Sequence, residues 1–167
     1  MFKVGEYIHY GSIGLCRVEE ITTLSMSAAD RDRLYYKLSP MEEHGRIIFT
    51  PVDNDRVVMR RVMNKAEAES LIDELPMISL IDIPDEKKRE LSYKEALSSP
   101  DCHDWVALIK ELNRRRQIRI DEGKKVTATE DRYYQSALNR LHNEISVATG
   151  VDRGEVEVYI QNRLAGK

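Results

Sequence analysis

Over the first sixty or so residues apolar and polar side chains alternate in short runs, and beyond residue 62 the apolar positions recur every three or four residues. Phe2, Val4, Ile8 and Tyr10 fall on one side of a first extended run, which Glu6 interrupts. Gly11-Ser12-Ile13-Gly14 reads as a reversing turn, and residues 15–21 supply the return strand with Cys16 and Val18 on one side. Further runs at Leu34-Tyr35-Tyr36-Lys37-Leu38, Arg46-Ile47-Ile48-Phe49-Thr50 and Val57-Val58-Met59 bring the predicted strands to five. Residues 22–32 read as a long loop. So few strands with so little material to cover them predict a small barrel, because closing a sheet removes most of its open edges.

The change of period at residue 62 opens a helical part. Asn64 and Glu67 form a capping box, Ala68, Leu71, Ile72 and Leu75 make the buried stripe behind it, and Pro76 ends the helix. Residues 77–84 are apolar and extended, and are expected to pack as a connector. A helix over residues 85–97 stops at Ser99-Pro100. In the next helix Trp105, Leu108, Ile109 and Leu112 repeat on a core face, and Gly123 terminates it. Thr127 and Glu130 cap a fourth helix lined by Tyr134, Ala137, Leu138, Leu141, Ile145 and Ala148, and Gly150 closes it. Asp152 and Glu155 open a last one through Val156, Tyr159, Ile160 and Leu164. The fold class is therefore α+β. A five-stranded barrel over residues 1–62 precedes an all-helical part over 63–167, divided into a connecting helix and extended segment (63–84) and a helix bundle with a basic face (85–167).

Hydrophobic residues make up 41% of the 167, enough to build a core, and a formal net charge of −3 excludes a strong global attraction for nucleic acid. Any basic face is local. Its candidates are Arg114, Arg115, Arg116 and Arg119 on one helix, Lys124 and Lys125 just after it, and Lys87-Lys88-Arg89 at the start of the preceding one. As isolated surface charges these residues only solvate the fold or complement a helix dipole. DNA binding requires the two clusters to converge, since useful affinity takes several phosphate contacts.

Chemistry is sparse. His9, His44, His103 and His142 show no metal-binding helix motif, and only Cys102-His103 places two soft ligands side by side, where neighbouring residues point apart. Gly123-Lys124-Lys125 lacks the upstream glycine and the following hydroxyl of a phosphate-binding loop, and no Gly-x-Ser-x-Gly elbow occurs. The carboxylates read as solvating and capping groups. The expectation is a non-enzyme without cofactor or metal. Cys16 and Cys102 form no disulfide framework, the first residues do not look like a leader, and no run is long enough for a span. A soluble, cytoplasmic protein is expected.

Phe2-Lys3-Val4-Gly5-Glu6-Tyr7-Ile8-His9-Tyr10, followed by Gly14 and Val18-Glu19-Glu20-Ile21, resembles the opening of the CarD family of bacterial transcription regulators. The likeness continues through Leu34-Tyr35-Tyr36-Lys37-Leu38 and Phe49-Thr50-Pro51-Val52 and into the order and lengths of the helices. It implies a Tudor-like (SH3-like) barrel that binds the RNA polymerase β subunit and a helical domain that contacts promoter DNA. The same barrel occurs in the transcription-repair coupling factor, a large translocase whose nucleotide-binding motif this chain lacks. Carried over, the polymerase-binding edge falls on Leu24, Ile47, Ile48 and Phe49. The DNA-facing group falls on Lys88, Arg89 and neighbouring basic positions, with Arg114, Arg115, Arg116, Lys124 and Lys125 as further candidates. Two departures stand out. Better-known members have arginines at the positions matching Leu24 and Phe49, and a tryptophan wedge where this chain has Glu86; Trp105 instead sits on a core stripe. The reading is a non-catalytic regulator of transcription initiation making weak, mostly phosphate contacts with promoter DNA, with a protein-only adaptor as its rival.

Overall fold

A computed structural model describes residues 1–24 and 31–166. It divides into two compact units, Met1–Val62 and Met63–Lys167. The first is an antiparallel sheet of β1 (Tyr7–Tyr10), β2 (Gly14–Thr23), β3 (Leu34–Pro40), β4 (Ile48–Pro51) and β5 (Met59–Arg61), in the order β4-β3-β2-β1-β5. β1 and β2 form a hairpin with Tyr10 opposite Gly14. Its turn requires glycine at position 11, where φ is +48° and an added Cβ would lie 2.7 Å from Val57.

Alternation puts Ile8, Tyr10, Cys16, Val18, Tyr36 and Leu38 on one face, where they form the core of the unit, with Phe2 and Ile48 packed against it. Burial pushes the Cys16 thiol up to about 12, so it serves as an apolar filler. Among the described residues the sheet does not close into the barrel expected from the sequence. β4 and β5 are the two ends of the sheet, and with four and three residues they have few backbone groups with which to pair. The boundaries of four strands also move. β1 starts only at Tyr7, because Val4 and Gly5 turn outward; Thr22 and Thr23 extend β2 into the expected loop; and β4 and β5 lie about two residues later than the apolar runs suggest. Residues 25–30 of that loop lie outside the described residues.

The second unit contains α1 (Lys65–Glu74), α2 (Arg89–Ser98), α3 (Cys102–Asp121), α4 (Ala128–Thr149) and α5 (Val156–Ala165). The Asn64–Glu67 capping box is complete, each side chain accepting from the other residue's backbone N–H at 2.8 Å. At α4 only half of the expected box forms, because Thr127 accepts from the Glu130 N–H while the Glu130 carboxylate turns to an arginine. Two apolar clusters hold the helices. Leu71, Ile72, Cys102, Trp105, Val106, Leu141, Ile145 and Val156 join α1, α3, α4 and α5. Tyr93, Leu108, Leu112, Tyr133 and Ala137 join α2, α3 and α4. Ala137, Leu141 and Ile145 of the expected α4 stripe are buried, while Leu138 and Ala148 are half-buried and Tyr133 takes the first buried position in place of the half-buried Tyr134.

Candidate functional site

Among the described residues β4 is an edge strand with a ladder partner, β3, on one side only. The pleat turns Ile48 inward against the core and Phe49 outward. Phe49 and Ile47, two positions apart, are each 45% exposed, and Phe49 stands opposite Lys37. The opposite edge, β5, carries Arg60 and Arg61, charges of the kind that discourage edge pairing. The β4 edge therefore combines a backbone free to pair with an apolar anchor. Leu24 is not part of that patch. It follows the Thr23–Leu34 pair, four residues along β3 from the level of Lys37, or about 13 Å.

On the helical unit the two basic clusters do meet, but with carboxylates between them. Arg89, only 12% exposed in its side chain, donates to Glu86 at 2.6 and 2.9 Å, to Glu111 at 2.8 Å and to the Tyr93 hydroxyl at 3.2 Å. Arg114 grips the same Glu111 through two bonds of 2.7 and 3.0 Å. Burial works to raise the Glu111 carboxyl, and the bonds from Arg114 and Arg89 outweigh it, so its pKa lies below the ordinary value. One turn on, Arg115 donates to Glu130 at 2.9 Å and Arg119 lies 3.6 Å from it, while Arg116 stacks over the Tyr134 ring and lies 3.7 Å from Asp131. Lys124 pairs with Glu122 at 3.1 Å. Lys88 and Lys125 are exposed and form no ion pair among the described residues. Of the candidate DNA residues, Lys88 and Lys125 are available, Lys124 and the three consecutive arginines are partly engaged, and Arg89 is a structural clamp.

Residues 2–63 match the family model of the CarD-like/TRCF RID domain. The N-terminal unit is a CarD-like RID domain. This is an RNA polymerase-interacting, transcription-related family, which points to RNA polymerase as the partner of the RID domain. No curated protein matches the chain closely enough to count as a relative. The match ends where the helices begin, so the helical unit is read from its own side chains. No helix among the described residues is long and apolar enough to cross a membrane.

Several polar groups that organise the helices were hidden behind their charge. Glu111, Glu130 and Glu144, expected to solvate or cap, are buried. Glu144 accepts from the Met63 N–H at 3.2 Å and from the Cys102 thiol at 3.3 Å. Their spacing held a signal, since Glu111 lies three residues after Leu108 and Glu144 three after Leu141, on the apolar stripes themselves. Lys110, counted with the basic strip, instead donates to the carbonyls of Leu75 and Ile78 and satisfies the end of α1 and the turn after it. His103 is held between Glu74 and Asp101, 2.7 Å from each.

Proposed function

We propose that the chain is a non-catalytic regulator of bacterial transcription initiation, cytoplasmic, with its RID domain tethered to the RNA polymerase β subunit and its helical unit close to promoter DNA. The observation that carries this reading is the RID match over residues 2–63, on a sheet whose β4 edge is open and bears Phe49 and Ile47. An added strand of the partner would pair with β4 and cover Phe49, and backbone bonds plus one apolar anchor suit a protein partner. Tethering raises the local concentration of a weak DNA contact, so a lightly charged helical face is sufficient.

The carboxylates that neutralise Arg89, Arg114 and Arg115 favour a second reading, a protein-only adaptor in which the arginines serve the fold. One pair of measurements separates the two. The immobilised full chain should retain purified RNA polymerase through β, and adding it to promoter complexes should change the open-complex lifetime in a salt-dependent way. Failure to retain polymerase ends both readings; retention with a lifetime effect insensitive to salt favours the adaptor.

A further inference from the structure

We propose that Arg153 and His142 form an acid-released latch that holds α5 on the helical unit: a proton taken up by the His142 ring breaks the contact and lets α5 lift away from α1 and α4. Arg153 stands in a single helical turn, Arg153–Glu155, that leads directly into α5. Each of its three guanidinium nitrogens donates to α4: Nε to Asn143 Oδ1 at 2.9 Å, Nη1 to His142 Nδ1 at 3.2 Å and Nη2 to Asn139 Oδ1 at 2.6 Å. Positions 139, 142 and 143 are spaced i, i+3 and i+4 on one face, so one side chain reaches all three. Beyond the turn, Val156 is fully buried in the cluster that joins α1, α3, α4 and α5. Tyr159 donates to Glu69 of α1 at 3.2 Å, and Arg163 donates to Asp73 of α1 at 2.9 and 3.0 Å. The latch therefore fixes where α5 begins, and the contacts with α1 follow from that position.

The chemistry of the donor fixes the protonation state of the ring. A guanidinium donates only and does not lose its proton in a protein, so His142 Nδ1 accepts with its lone pair and the imidazole is neutral, its one N–H on Nε2. A second proton goes to Nδ1 and sets N–H against N–H, two cations head to head at a ring that is only 6% exposed. The other two acceptors of Arg153 are amide oxygens, and among the described residues no carboxylate pairs with it, so no fixed anion offsets the added charge. The charged groups that act on the ring are Arg153, from the turn, and Glu157, from α5. Glu157 is exposed and favours the imidazolium, but burial and then Arg153 prevail and hold the His142 pKa below its ordinary value. Once α5 has lifted away the ring regains that ordinary value, so docking is complete above about 6.5 and is lost as pH falls below it.

Hydrogen exchange of the full chain, read by mass spectrometry in peptides from α5 and from α2, tests the latch. α2 is the internal standard, because a separate cluster of Tyr93, Leu108, Leu112, Tyr133 and Ala137 holds it. His142→Gln keeps a neutral acceptor within reach of Arg153 and removes the titration. The α5 exchange rate of the wild type, divided by that of His142→Gln at the same pH, should stay level above about pH 7 and rise by up to about tenfold for each unit below 6.5, the limit for one proton. Arg153→Gln removes the opposing cation. Its α5 should exchange faster than that of the wild type at neutral pH and gain less on acidification, since burial alone then opposes the proton. A ratio that stays level down to about pH 5 overturns the latch, and so does an equal rise in α2, which is loss of the whole unit. An acid response in Arg153→Gln as large as that of the wild type removes Arg153 as the partner and the proposal with it. If His142→Gln does not fold, the comparison of wild type with Arg153→Gln decides by itself.

Discussion

Trp105 illustrates how one side chain can be fixed by both ends. Its ring is 1% exposed in the cluster joining α1, α3, α4 and α5, and its indole N–H donates to the Ser99 carbonyl at 2.9 Å. Trp105→Ala removes both, and should cost about 3–5 kcal/mol in a denaturant titration. His103 and His142 respond to pH in opposite directions. Hydrogen bonds to Glu74 and then Asp101 raise the His103 pKa above its ordinary 6.5. Its contribution is therefore complete below that value and is lost as pH rises through the folded pKa. Solvent screening of this half-exposed group limits the effect to about 0.5 kcal/mol. Burial, and then the nearby Arg153, lower the pKa of His142, so its contribution is present above 6.5 and is lost as pH falls. Stability measured between pH 5 and 8 should fall less on the alkaline side in His103→Gln and less on the acid side in His142→Gln (about the range of histidine titration). Parallel profiles for the two variants would refute these assignments.

At the scale of elements, the informative contrast lies between the two sheet edges. β5 ends the sheet with Arg60 and Arg61, and β4 ends it with Phe49, two positions after the exposed Ile47. A charge at an outward-facing edge position leaves the core untouched while repelling an apolar partner, so Phe49→Asp should change stability by less than about 0.5 kcal/mol. The same change should weaken polymerase retention at least about tenfold, the loss of a modest anchor. Equal retention by the folded variant, measured by surface plasmon resonance, would move the contact away from β4. Between helices, Arg89 binds α2 to α3 through Glu111. Arg89→Ala leaves the buried Glu111 with Arg114 alone, and should cost about 3 kcal/mol in thermal unfolding. Lys88→Ala, one residue earlier and exposed, should cost almost nothing.

For the whole molecule, the division at Val62 separates two kinds of surface. The RID domain offers backbone and apolar groups, and the helical unit offers cations interleaved with carboxylates. A chain with a net charge of −3 gathers no long-range pull on DNA, so the effect on promoters should depend on the tether. Phe49→Asp should thus abolish the change in open-complex lifetime even where the helical unit is intact. Persistence of that change without polymerase retention would show that the helices act independently.

What the sequence determined by itself was local. Period-two and period-three-to-four apolar spacing specified strands and helices, Asn64 and Glu67 specified a cap, and the Trp105 stripe specified a buried face, because each depends on neighbours within a few residues. The RID signature was also legible, since the glycines and alternating residues that shape β1 and β2 lie close together in the chain. Tertiary structure decided what depends on distant partners. Whether five strands close or stay open turns on the lengths of β4 and β5 and on the order in which they pair. Whether Arg89 is a DNA contact or a clamp turns on Glu111, 22 residues away, and whether Arg115 and Arg119 share one buried carboxylate turns on Glu130 arriving from the next helix. A charged residue looks the same in sequence when it faces water and when it is paired with an opposite charge; only the packing of the helices brings the two charges together and removes the water.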